Sequence, residues 1–302
     1  MLNYNNRSSK IRERAARGIF TVAALFSLGG LLVITIFLLC NGVPFIARTG
    51  FGKFVLGAEW RPLADTPSYG ILPMIVTSLY VTALAVIFGV VIGLSTAVCL
   101  YRFCPRKLLS PVRQMINLLA GIPSVIYGLF GMTVIVPFLR DYLSPTGVGY
   151  GILAAAIVLS VMILPTVVSV SLDSLSSVPR SYYEGALALG STEAEATFKI
   201  VLPAAKSGVT SGVILAVGRA LGETMAVIMV VGGSPEMPKS LFQSVRTLTS
   251  NIAMGAMELD ENTQEALIAS GVVLLVFALL LNISFSFLKQ DRSERRKRRG
   301  KV

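Results

Sequence analysis

Six long apolar stretches restrict how this chain can fold more than any other feature. A helix that crosses the hydrocarbon core of a bilayer needs about 20 mostly apolar residues, and its backbone polar groups must be satisfied within the segment. The six windows that meet this requirement are 18–40, part of 66–101, 114–139, 142–172, 207–232 and 266–288. The sequence therefore predicts an all-α membrane protein with six transmembrane helices.

The same stretches divide the chain into segments. The first window is too long for a cleaved signal peptide and has no small-residue cleavage site after it, so we expect it to stay as an anchor. The predicted segments are a basic N-terminus at 1–17, a first transmembrane helix at 18–40, an outer loop at 41–69, a core of five transmembrane helices at 70–288 that contains a loop at 174–206, and a basic tail at 289–302.

Charge placement predicts the orientation. Lysine and arginine concentrate in loops that stay in the cytoplasm. With the N-terminus inside, the outer loops hold only six of the 27 basic residues, which are Arg48, Lys53, Arg61, Arg140, Lys239 and Arg246. We predict a multi-pass protein with both termini in the cytoplasm. The basic tail is then a topology signal beside membrane lipid, rather than a nucleic-acid site.

Composition argues against catalysis by this chain. The sequence has no histidine, which removes the commonest general base and metal ligand. Its cysteines, Cys40, Cys99 and Cys104, form no C-x-x-C pair, and no phosphate-binding loop motif occurs. We therefore predict a chain that is not an enzyme and binds no metal or cofactor of its own.

The loop at 174–206 has the pattern of a helical hairpin. Residues 180–190 and 191–203 predict two short helices. Gly190 can take the left-handed conformation that ends a helix, and Thr192 with Glu195 has capping-box spacing. We expect Pro203 to end the second helix, because proline lacks the backbone donor and clashes with the preceding turn.

This hairpin resembles the EAA loop of ABC importer permeases. The residues that keep the spacing of that loop are Glu184, Ala186, Gly190, Ile200, Leu202 and Pro203, and Gly185 replaces the usual first alanine. The resemblance implies a coupling element that docks into a groove on a nucleotide-binding subunit. The alternative is an amphipathic hairpin that packs only on its own bundle.

Two further segments, 119–129 and 217–227, resemble phosphate importer permeases, and the second is most similar to the PstC type. Together with the hairpin, the resemblance covers roughly residues 71–287. It implies a type I ABC importer permease (MetI-like) fold in a bacterial inner membrane. It also implies a heterodimer with a PstA-like permease, two PstB-like ATPase subunits that carry ATP and Mg, and a PstS-like phosphate-binding protein outside.

A charged pair interrupts the fifth window. Arg219 and Glu223 are four residues apart, so on one helix they would share a face and pair. An unpaired charge at mid-membrane costs about 2.5–3.5 kcal/mol, and a guanidinium has forked donors that suit an oxyanion. We predict that Arg219 lines the substrate pathway and that Glu223 is its counter-charge when the pathway is empty. The alternative is a static ion pair.

Two prolines are expected to kink the third and fourth helices. Pro123 and Pro165 lie inside those windows, and a proline frees carbonyl groups of the preceding turn. Ser124, Tyr127 and Thr166 lie close by and are candidate donors to an anion. Such hydroxyl groups also commonly bond to their own helix.

Three other functions remain open at this point. A permease of the same architecture could carry another oxyanion, such as sulfate or molybdate. A secondary transporter or channel would work without ATP, and inverted internal repeats would favour it, but the sequence shows none. A membrane enzyme is disfavoured because no nucleophile and base are paired.

Overall fold

The computed structural model describes residues 6–255 and 260–299, with side chains described for 13–105, 107–255 and 260–284. Within these residues, six helices are long and apolar enough to cross a membrane, as the sequence predicts. The elements in chain order are α1 (Asn6–Thr49), α2 (Phe51–Val55), β1 (Trp60–Arg61), β2 (Ser68–Tyr69), α3 (Leu72–Arg102), α4 (Arg106–Ala120), α5 (Ser124–Phe130), a π-helical turn (Gly131–Ile135), α6 (Val136–Tyr142), α7 (Ile152–Ser176), α8 (Arg180–Ala188), α9 (Glu193–Glu195), a second π-helical turn (Ala196–Val201), α10 (Leu202–Gly222), α11 (Met225–Val231), α12 (Leu248–Gly255) and α13 (Glu261–Arg299).

Helix α7 is the centre of the bundle. It is the most buried of the six spanning helices, and α3 and α10 pack along it. Small residues allow this close approach: a Cβ atom at Gly93 would lie 2.8 Å from Val167 Cγ1, and one at Gly212 would lie 3.0 Å from the Cβ atom of Val170. The core therefore depends on glycine at helix crossings, as is common in membranes.

At one end of the bundle, helices α8 and α9 form the predicted hairpin. A hydrophobic cluster at this hairpin end joins α3, α7 and α10, and Val178 and Tyr183 pack against it. Helix α4 is held at the same end by an ion pair between Arg113 and Asp173 at the end of α7. The hairpin end is thus built from all the central helices.

The first helix is longer than predicted. Helix α1 runs to Thr49 rather than ending at Cys40, so the predicted outer loop begins only after residue 49. The last turns remain helical because they pack on α13, where a Cβ atom at Gly42 would lie 3.0 Å from the Ala269 Cα atom. Arg48 also pairs with Glu265 of α13 at 2.6 Å.

The segment after α1 is a small aromatic platform. It contains the short helix α2 and an antiparallel β1–β2 pair in which Trp60 faces Tyr69. Edge-to-face ring contacts link Phe45 to Phe54 and to Tyr69, and Trp60 to Tyr69, at centroid distances of 5.3–6.0 Å. The platform fixes the start of α3 against the ends of α1 and α13.

The third window is broken rather than kinked, which corrects the expectation for Pro123. Helix α4 ends at Ala120, and α5 begins after Pro123. Proline restricts the residue before it to extended conformations and cannot donate to the preceding turn, so the break falls at Gly121–Pro123. Pro165, by contrast, lies inside α7, which remains helical through it.

The two ends of the chain differ from the predicted segments. The basic N-terminal segment, 1–17, is helical from Asn6 onward, and its first five residues lie outside the described part. Helix α13 continues without a break at 289 as far as Arg299. The side chains of the basic tail lie outside the described residues.

Candidate functional site

The hairpin has the local structure that its sequence predicts. Gly190 has φ +86°, the left-handed conformation that lets α8 end in a tight turn. Thr192 Oγ1 accepts a hydrogen bond from the Glu195 backbone N–H at 3.2 Å, and Glu195 Oε2 accepts one from the Thr192 N–H at 3.2 Å. The predicted capping box is therefore confirmed.

The expectation that Pro203 ends the second helix of the hairpin is wrong. The chain is helical from Glu193 to Gly222, through a π-helical turn at Ala196–Val201. This turn changes the hydrogen-bonding register just before Pro203, so the proline falls in the first turn of α10, where its missing donor is tolerated. The fifth spanning helix therefore includes the second arm of the hairpin and does not begin after Lys206.

The residues of the EAA-like pattern divide into exposed and anchored groups. The exposed ones are Glu184, Gly185, Gly190, Ile200 and Pro203. Ala186 is buried, and Leu202 packs against the cluster at the hairpin end. Leu189, at the turn, is 90% exposed, although no sequence signal singled it out. One side of the hairpin is thus fixed to the bundle, and the other side is accessible.

The structure does not pair Arg219 with Glu223, which corrects the predicted ion pair. Helix α10 ends at Gly222, and Glu223 has an extended backbone (φ −70°, ψ 128°), so the two residues do not share a helical face. The Glu223 carboxylate instead accepts a hydrogen bond from the Ala226 N–H at 3.1 Å and so caps the start of α11. The fifth window is therefore two helices with a break between them.

Arg219 lies one turn before this break. It is half-buried and forms no hydrogen bond or ion pair with the residues that the structure describes. A guanidinium in this position has all its donors available to an anion.

The other three candidate donors differ in their bonding. The Tyr127 hydroxyl donates to the Leu119 carbonyl at 2.8 Å, across the break between α4 and α5. The hydroxyls of Ser124 and Thr166 are half-buried and form no hydrogen bond with a described residue. Thr166 and Val170 lie one helical turn apart on the same face of α7, and Val170 packs on Gly212 of α10. Thr166 therefore faces α10 about one turn before Arg219.

A buried polar cluster beside Glu223 was not predicted from the sequence. Thr249 Oγ1 donates to the Glu223 carbonyl at 3.0 Å, and Ser78 of α3 accepts from the Leu248 N–H at 2.9 Å. Thr247 and Ser250 bond to each other at the start of α12. The cluster fixes the break between α10 and α11 to α3 and α12. A sequence signal exists, the polar run at 246–251, but it resembles an ordinary loop.

Comparison with known families and sequences gives one consistent result. The family model described as the inner membrane component of binding-protein-dependent transport systems matches residues 89–299. The probable ABC transporter permease protein YqgH of Bacillus subtilis is 37% identical over 295 residues, covering 95% of this chain and 94% of that protein. The phosphate transport system permease protein PstC of Mesorhizobium japonicum is 33% identical, covering 86% of this chain and 84% of that protein.

Solved structures with the same fold are less similar in sequence. A bacterial alginate ABC transporter, solved with a pentasaccharide-bound periplasmic protein, has a chain that aligns with a TM-score of 0.66 at 15% identity, covering 94% of this chain and 96% of that chain. The inward-facing MetNI methionine transporter has a chain that aligns with a TM-score of 0.59 at 22% identity, covering 73% of this chain and 95% of that chain. These similarities confirm the predicted importer permease fold.

Proposed function

This chain belongs to the family of inner membrane components of binding-protein-dependent transport systems, and we propose that it is a permease subunit of an ATP-driven phosphate importer. The proposal rests chiefly on its similarity, over most of its length, to permeases named for phosphate transport. In this role the chain forms half of a translocation pathway and leaves ATP hydrolysis to other subunits.

Arg219 is the group that meets the anion. The likeness to phosphate permeases suggests an oxyanion, and a guanidinium without a partner among the described residues supplies forked donors for one. Ser124 and Thr166 add hydroxyl groups with no described partner, while Tyr127 keeps the Leu119 carbonyl. Glu223 acts on the pathway indirectly, because it holds the start of α11 rather than the guanidinium.

Coupling runs along one helix. The second arm of the hairpin and the segment that carries Arg219 form the continuous helix Glu193–Gly222. At about 1.5 Å per residue, the axial distance from Glu193 to Arg219 is about 39 Å. A force applied to the hairpin by an ATPase subunit therefore reaches Arg219 without crossing a loop.

The similarity to PstC permeases supports partners of the same transport system. We assign the exposed side of the hairpin, with Glu184, Gly185, Gly190, Ile200 and Pro203, to a PstB-like ATPase dimer that carries ATP and Mg. A PstA-like permease completes the pathway, and a PstS-like binding protein delivers phosphate on the opposite side. The hairpin and both termini then lie in the cytoplasm, as the distribution of basic residues indicates.

The test is uptake of labelled phosphate by proteoliposomes that contain this chain with those partners. The expected result is uptake that requires ATP and the binding protein and that arsenate inhibits while sulfate does not. Uptake of sulfate or molybdate in place of phosphate would contradict the substrate assignment. Phosphate movement without ATP would contradict the importer mechanism.

A further inference from the structure

A single arginine holds both arms of the coupling hairpin. Arg102 is the last residue of α3, and its guanidinium lies over the Tyr183 ring of α8 with 4.4 Å between the guanidinium carbon and the ring centroid. The same guanidinium pairs with Glu193, the first residue of α9, at 2.8 Å. Helices α8 and α9 lie on either side of the Gly190 turn, so Arg102 bridges the turn from the bundle side.

Arg102 is itself firmly placed. Residues Ala97, Val98 and Leu100 of the same helix are buried in the cluster at the hairpin end, together with residues of α7 and α10. A cation at the C-terminal end of a helix is also stabilised by the helix dipole. The side chain is 30% exposed, and its Nε atom is buried without a hydrogen-bond partner among the described residues.

The stacking of Arg102 on Tyr183 attaches α8 to the end of α3. Tyr183 is the apolar residue of α8 that packs against the cluster at the hairpin end. Its hydroxyl is buried and has no hydrogen-bond partner within the described part of the chain. The ring face rather than the hydroxyl therefore makes the useful contact, in the geometry of a cation–π interaction.

We propose that Arg102 is a positioning residue for energy coupling, which keeps the two arms of the hairpin and the end of α3 in one rigid unit. This role rests on the proposed function. An ATPase stroke on the hairpin then moves α3 and α10 together, and without Arg102 part of the stroke is lost in bending at Gly190.

The test compares two quantities in the assembled transporter in nanodiscs or proteoliposomes. The first is phosphate transported per ATP hydrolysed, and the second is hydrogen exchange of the amides of residues 180–195. Arg102→Gln should speed exchange in the hairpin about threefold to tenfold, the factor expected from one cation–π contact and one exposed ion pair, and should lower the transport ratio. Arg102→Lys should fall between wild type and Arg102→Gln, because lysine keeps the charge but not the planar group.

Matched controls separate this role from a general loss of stability. Lys199→Gln removes an ion pair with Glu195 that lies wholly within the hairpin, and it should change neither quantity. Tyr183→Phe removes only the unpartnered hydroxyl and should also be neutral. Glu193→Gln should lower the ratio, and combining it with Arg102→Gln should add little, because both variants break the same pair.

Each outcome decides the proposal. Unchanged exchange in Arg102→Gln would overturn it, and so would faster exchange with an unchanged transport ratio. If Glu193→Gln and Arg102→Gln reduce the ratio additively, Glu193 acts on another partner and the bridge is refuted. If the wild-type complex moves no phosphate, the proposed function is wrong. The role of Arg102 is then decided by hydrogen exchange in the hairpin and by the ATPase rate. If neither quantity changes in Arg102→Gln, the role of Arg102 is refuted.

Discussion

Replacing Gly93 by alanine tests whether α3 and α7 pack as closely as the structure shows. An alanine Cβ atom at this position would lie 2.8 Å from Val167 Cγ1 and 2.9 Å from Val167 Cβ. Real Cβ atoms do not approach so closely, and the Val167 Cβ atom is fixed to the α7 backbone. One of the two helices would have to move.

The expected loss of stability in Gly93→Ala is obtained by comparison with Gly218→Ala. Both glycines lie inside spanning helices, so both gain about 1 kcal/mol of helix propensity on substitution. A Cβ atom at Gly218 meets no atom within 4 Å, whereas Gly93→Ala adds overpacking of about 1–3 kcal/mol. Gly93→Ala should therefore be about 1–3 kcal/mol less stable than Gly218→Ala.

The assay is reversible unfolding of the purified chain in mixed micelles with increasing SDS, followed by helical circular dichroism. Both variants are measured beside wild type. Gly218→Ala should be as stable as wild type or more stable. A Gly93→Ala variant that matches or exceeds Gly218→Ala in free energy of unfolding would refute the close packing of α3 on α7.

Three further predictions concern the joints of the fold. Glu223→Gln keeps an oxygen that can accept the hydrogen bond from the Ala226 N–H, so its free energy of unfolding should match wild type, whereas that of Glu223→Ala should be lower by about 1 kcal/mol. A large loss of stability in both variants would indicate an ion pair of Glu223 instead. The double change Thr210→Gly/Ser211→Gly lowers the helix propensity between the hairpin and Arg219. It should lower the amount of phosphate transported per ATP hydrolysed without preventing binding of the ATPase. An unchanged ratio would contradict transmission along that helix. Gly42→Ala should destabilise the contact of α1 with α13 by about 1–3 kcal/mol, because its Cβ atom would lie 2.6 Å from Val272. Arg48→Gln removes the exposed pair with Glu265 and should cost less than about 1 kcal/mol in the same unfolding assay. A larger loss in Arg48→Gln than in Gly42→Ala would show that charge holds the two helices together.

Features that depend on neighbouring residues were predictable. The number of spanning helices follows from a physical minimum of about 20 apolar residues each. The hairpin turn follows from Gly190, whose φ of +86° suits a residue without a side chain, and from the Thr192–Glu195 capping box. The family resemblance also depended on short motifs with fixed spacing.

Features that depend on packing between distant segments were not predictable. Residues 41–49 remain helical because α13 lies beside them, which the sequence of α1 alone does not reveal. The pairing of Arg219 with Glu223 assumed one unbroken helix, whereas α10 ends at Gly222. That ending is stabilised by Thr249, from a segment 26 residues further along the chain.

The prediction that Pro203 ends a helix was wrong because of the π-helical turn before it. The rule that proline ends a helix is correct for a regular α-helix, but one change of register moved Pro203 into a first turn. This change of register matters for the proposed coupling. A hairpin predicted to be separate from the fifth span is in fact the beginning of it.

The central claim is that phosphate passes Arg219 on its way through this chain. The most direct measurement is ATP-dependent uptake of labelled phosphate by proteoliposomes with wild type, Arg219→Gln and Arg219→Lys. Arg140→Gln serves as a control, since Arg140 is an exposed arginine that pairs with the adjacent Asp141. We predict that uptake is lost in Arg219→Gln, reduced in Arg219→Lys and unchanged in Arg140→Gln, while all four complexes bind the ATPase. Uptake at the wild-type rate in Arg219→Gln would contradict the claim.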